Sequence, residues 1–98
     1  MTPPLSFHPA VRDEVDEAYR WYEARRTGLG DDFLAAMDQV LADIVANPQR
    51  YGLVSDDVRE APFTRFPFAV YYRVLPDRIR ILAIYHTSRN PRGWQSRA

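Results

Sequence analysis

Apolar residues recur along this chain with two different periods, and the change of period divides it. In the first half, Val11, Val15, Ala18, Tyr19 and Tyr22 fall at i, i+4, i+7, i+8 and i+11, one face of a helix predicted over roughly Pro9 to Arg26. Pro9 suits a first helical turn, where its missing N–H is harmless. Thr27-Gly28-Leu29-Gly30 breaks this helix. A second helix is predicted from a cap at Asp31 or Asp32 to about Ala46, with Phe33, Met37, Leu41 and Ile44 as its stripe and Asn47-Pro48 as its stop. Two helices joined by so short a loop make a hairpin whose apolar face needs a sheet to cover it.

The second half alternates instead. Pro67–Val74 puts Phe68, Val70, Tyr72 and Val74 on one face and Ala69, Tyr71 and Arg73 on the other. Strict alternation in Arg78–His86 groups Ile79, Ile81, Ala83 and Tyr85 against Arg80, Leu82, Ile84 and His86. The turn Leu75-Pro76-Asp77-Arg78 makes the two an antiparallel hairpin. Val58–Phe63 is a weaker strand, confined by Pro62 to an edge or to an ending there. Leu5–His8 is a short candidate first strand, and Trp94 an anchor for the polar tail after Thr87.

Composition narrows the picture. The chain has 98 residues, 46% of them hydrophobic, which supports one packed domain over 1–98 rather than disorder. A domain this small is only marginally stable, and a permanent partner would help it. With no cysteine, disulfides, thiolate metal sites and cysteine nucleophiles are excluded, which fits a reducing cytoplasm. No signal peptide, transmembrane run, phosphate-binding glycine loop or metal-ligand spacing stands out, so no membrane and no cofactor is expected. A net charge of zero conceals an asymmetry. Residues 1–49 carry four arginines and nine acids; residues 50–98 carry nine arginines and four acids. Every basic residue is arginine, a planar fork suited to carboxylate and phosphate. A basic working face on a more acidic support is therefore expected.

The ordered set Arg65-Phe66-Pro67-Phe68-Ala69-Val70-Tyr71-Tyr72-Arg73-Val74, Ile79-Arg80-Ile81-Leu82-Ala83-Ile84-Tyr85-His86, then Arg89-Asn90-Pro91 and Trp94, resembles the RelE/ParE toxin superfamily, most closely its ParE-like, plasmid-stabilisation branch. Trp21-Tyr22-Glu23 and Asn47-Pro48 at the two helix ends also fit. The resemblance implies an α+β fold: an N-terminal strand and helical hairpin on a three- to four-stranded antiparallel sheet. It implies a type II toxin neutralised by a cognate antitoxin. General modes of peptide recognition lead us to expect that antitoxin to add a strand to a sheet edge or lay a helix across the hairpin. RelE-like members cut messenger RNA on the ribosome, whereas ParE-like members poison DNA gyrase. The ParE-like reading gives growth inhibition by binding, without chemistry.

The alternatives turn on particular residues. Some ribosome-dependent members use a Glu, an Arg and a His from successive strands, roles that Glu60, Arg73 and His86 would take here as base, phosphate clamp and acid. The plainer reading of His86 is a strand-end histidine hydrogen-bonded locally, and of His8 a helix-entry residue. Arg59, Arg65, Arg73, Arg80, Arg89 and Trp94 are the candidate target-binding set, with Arg65, Arg73 and Arg89 expected on one surface because each sits in a matching motif. The opposing reading is solvated arginines in weak surface pairs. Asp13, Glu14, Asp16 and Glu17 read as a solvated first turn favoured by the helix dipole. A non-toxic binding module on the same fold is the third possibility.

Overall fold

The chain turns from its first strand into its first helix at His8-Pro9. In a computed structural model, which describes residues 4–98, β1 spans Leu5–Phe7 and α1 Ala10–Arg25. The His8 ring caps the helix, its Nδ1 accepting the Ala10 N–H at 3.1 Å. Helix α2 runs Leu29–Ala46, starting ahead of the Asp31 or Asp32 cap read from the sequence. The reason is a cap from outside the helix. The Glu23 carboxylate on α1 accepts the Gly28 N–H at 3.0 Å and the Gly30 N–H at 3.0 Å, satisfying amides that Asp31 would otherwise serve. Gly28 makes this turn possible with φ of 91°. Gly30 lets the helices touch, since a Cβ there would lie 2.7 Å from the Tyr19 ring.

The remaining elements are β2 (Leu53–Ser55), β3 (Val58–Pro62), β4 (Phe68–Val74), β5 (Ile79–His86) and the short helix α3 (Arg92–Gln95). The sheet has five strands in the order β1-β5-β4-β3-β2, rather than three or four. The additional strand is β2, three residues long with Leu53 and Val54 exposed, too short to show a period. β1 pairs parallel to β5, and the other pairings are antiparallel. β3 ends at Pro62, where a missing donor does least harm.

The β5 alternation fails at its centre. Tyr71 pairs with Ala83 and Tyr72 with Ile81, so Leu82 is an extra residue, a β-bulge. Past the bulge every side chain changes face. Ile79, Ile81 and Ile84 pack toward the helices, while Leu82, Ala83 and Tyr85 face the other way. The main core therefore joins Phe33, Val40 and Ile44 of α2 and Val11 and Ala18 of α1 to Val70, Tyr72, Ile79, Ile81 and Ile84. A second, smaller core on the far face holds Val58, Ala69, Tyr71, Leu82, Ala83, Tyr85 and Trp94. Trp94 anchors the tail as expected, 4% exposed and stacked on Tyr71 at 4.6 Å.

Both cores bury a tyrosine hydroxyl. Tyr72 donates to the Pro48 carbonyl at 2.7 Å, and burial pushes its pKa from 10.0 up to about 12. Tyr71 donates to Glu60 Oε2 at 2.6 Å; burial first, then that carboxylate, push its pKa up further. The folded chain thus holds protons that the unfolded chain releases. The stability this adds is complete below the unfolded value and is lost as the pH climbs through the folded ones. Denaturant unfolding between about pH 9 and 12 should show stability falling from near pH 10, with a smaller fall in Tyr72→Phe. A flat profile would contradict the assignment.

Candidate target-binding surface

From the bulge onward β5 has no strand on its outer edge. β1 covers that edge only from Ile79 to Ile81, and the chain then leaves through His8, whose N–H donates to the Ile81 carbonyl at 2.8 Å. Two side chains take over beyond it. Glu14 Oε1, reaching across from α1, accepts the Ile84 N–H at 3.1 Å. Arg97, reaching back from the tail, donates to the Leu82 carbonyl at 3.0 Å. The two meet with Nη1 2.7 Å from Oε2, a contact poorly aligned for a hydrogen bond and held chiefly by charge. Their side chains are 14% and 7% exposed. Glu14 is therefore a buried edge cap and not part of the solvated turn read from the sequence. It occupies the i+3 position between Val11 and Ala18, on the buried stripe itself, which is the signal that marks it.

Beside this cap lies a cleft of about 580 Å³ between α1 and the end of the sheet. Trp21, Tyr22 and Phe68 give it aromatic walls, and Glu17, His86 and Arg89 line it as well. Trp21 is 52% exposed and carries the Arg25 guanidinium 3.8 Å above its ring. Sequence reasoning passed over Trp21 as a surface group, although it lies off the Val11–Tyr22 stripe. Tyr22 is backed by Phe33, stacked at 5.5 Å, and by Phe66, edge-on at 4.8 Å, and burial raises its pKa. His86 meets Phe68 edge-on at 5.3 Å. Its Nδ1 accepts the Ser88 N–H at 3.1 Å and lies 2.8 Å from the Ser88 hydroxyl, so a neutral ring carries its proton on Nε2. Arg89 sits 4.1 Å over the Tyr85 ring.

The remaining predicted residues are dispersed. Glu60 and Arg73 lie on the far face with Tyr71, whereas His86 is on the helix face with Phe68. Arg73 is five residues beyond Phe68 on β4, roughly 17 Å along the strand. Glu60 is engaged by Tyr71, and Arg73 holds Asp57 through Nε and Nη2, each at 2.9 Å. That hydrogen bond keeps the Asp57 carboxyl below its ordinary value. Glu60, Arg73 and His86 do not converge. Nor do Arg65, Arg73 and Arg89 share one surface. Arg65, paired with Asp32 at 3.3 Å, and Arg89 sit at the cleft end of the sheet, and Arg73 at the other. Arg59 is a structural staple, donating to the Tyr51 carbonyl at 2.6 Å and the Gln49 carbonyl at 3.3 Å. Arg80 stands beside Arg73 and donates to Ser6 Oγ at 3.3 Å. Trp94 is buried in the second core.

A helical hairpin thus packs on a mixed five-stranded sheet, with an aromatic cleft beside a capped strand edge, as a small α+β domain. The chain belongs to the ParE toxin family of type II toxin–antitoxin systems: the model of that family, the ParE toxin of the parDE system, matches residues 5–91. A solved chain described as the chromosomal ParDE TA system from P. aeruginosa has the same fold, with a TM-score of 0.68 and 22% identity over 87% of this chain and 96% of that one. No curated protein matches the sequence. Among the described residues no helix is long and apolar enough to cross a membrane, and no three His, Asp or Glu side chains gather as a metal site.

Proposed function

We propose that this protein is the toxin of a cytoplasmic type II toxin–antitoxin pair, and that it acts by binding DNA gyrase and not by cleaving RNA. The carrying observation is the dispersal of Glu60, Arg73 and His86 over two faces and two ends of the sheet. Ribose-directed cleavage needs a base, an acid and a phosphate clamp around one bond. A cleft with Trp21 exposed and Arg25, Arg65 and Arg89 at the same end suits protein recognition, where aromatic and arginine anchors dominate. Family membership favours the gyrase target, since the ParE-like branch is the gyrase-poisoning one.

A cognate antitoxin is the second partner. The P. aeruginosa chain belongs to a toxin–antitoxin system by its title, which supports an equivalent partner here. An added strand would fit the exposed edge of β2, and an added helix the groove where β1 meets the α1–α2 hairpin. Purified toxin added to gyrase in a supercoiling assay should abolish supercoiling at saturation, and pre-mixed antitoxin should restore it. Undiminished supercoiling at saturating toxin would reject the gyrase target.

A further inference from the structure

On the far face of the sheet, a row that begins at Val58 of the second core runs across four strands as Val58, Arg73, Arg80 and Ser6. Arg73 and Arg80 are direct cross-strand partners, and like charges so placed destabilise a sheet. Their Leu75–Arg78 turn makes this a hydrogen-bonded pair, with Cα atoms about 5.5 Å apart. Asp57 answers one of the two guanidinium groups. Glu60, one row further on, is occupied by the Tyr71 hydroxyl. Arg80 makes no ion pair among the described residues and has only the Ser6 hydroxyl beside it.

The geometry points to Arg80, Ser6 and Arg73 as a docking point for a side-chain carboxylate on an acidic segment of a protein partner. Arg73 shows the chemistry in place, since it already holds the Asp57 carboxylate through two nitrogens. With Arg73 so neutralised, the row is left with one positive charge, which matches a single carboxylate better than a phosphate chain. One unanswered guanidinium is also too few for the several phosphate contacts on which nucleic-acid binding depends. The choice of a protein partner rests on the binding reading above, but the site is tested without gyrase, so either can fail alone.

The probe is an acetylated, amidated hexapeptide of alternating Glu and Ala, titrated into isotope-labelled protein while the Arg Nε–H signals are followed by NMR. The Arg80 Nε–H and Ser6 amide should shift saturably. Binding should weaken about tenfold or more in Arg80→Gln, and less in Arg80→Lys, which keeps the charge but loses the fork. Asp57→Asn, which frees Arg73, should tighten binding several-fold. An unmoved Arg80 signal in the wild-type protein would overturn the site, as would equal affinity in a folded Arg80→Gln. Tighter binding of a thymidine hexanucleotide than of the peptide would overturn the carboxylate assignment.

Discussion

Replacing Glu14 with alanine should destabilise the protein by about 3–5 kcal/mol, as removal of one partner of a buried ion pair does. The loss has three parts. Arg97 keeps its charge in a site where its side chain is 14% exposed, the Ile84 N–H loses its acceptor, and the edge of β5 opens. For a domain of this size the whole stability is about 5–15 kcal/mol, so the change takes a large share of it. Glu14→Gln should cost less, because an amide oxygen still accepts the Ile84 N–H. Urea unfolding gives the energies, and amide exchange at Ile84 should speed up in the alanine variant before exchange in β4 does. A Glu14→Ala variant within about 1 kcal/mol of the parent would mean that the pair is a solvated surface contact.

Phe33→Ala is expected to cost about 3–5 kcal/mol, the range for deleting a buried aromatic ring. Phe33 is fully buried, with rings of Tyr22, Phe63, Phe66 and Phe68 at 5.5, 5.2, 5.4 and 5.0 Å. At about 4–8 °C per kcal/mol, the melting temperature should fall by more than about 12 °C. Two of those neighbours, Tyr22 and Phe68, are walls of the cleft, so the same deletion loosens the proposed gyrase contact. At a temperature where the variant is still folded, its inhibition of supercoiling should weaken as well. Retained melting temperature would show that the aromatic cluster packs elsewhere.

The helices and the β4–β5 hairpin were legible because each repeats one period over many residues. Three features escaped for separable reasons. The β5 bulge escaped because adding one residue leaves composition and hydrophobicity unchanged; Leu82 suits either face, and only pairing with β4 shows that it is extra. The α2 start escaped because its cap comes from Glu23 on the preceding helix, and local capping rules look only at neighbours. β2 escaped because three residues carry no period. For the candidate site, the arginine count was legible but the grouping was not. Strand position places Arg73 and Arg80 in one row, while Arg59 lies on β3, Arg65 in the β3–β4 loop and Arg89 in the segment after β5. The Glu14–Arg97 pair joins residues from opposite ends of the chain, which no spacing rule could relate.

Whether harm comes from binding or from cleavage is read most directly in the messages of cells making this protein. Primer extension on translated transcripts, taken as growth arrests, should show no 5′ ends absent from uninduced cells. New ends that disappear with His86→Ala, in a variant that still folds, would make this an endoribonuclease and contradict the binding mechanism.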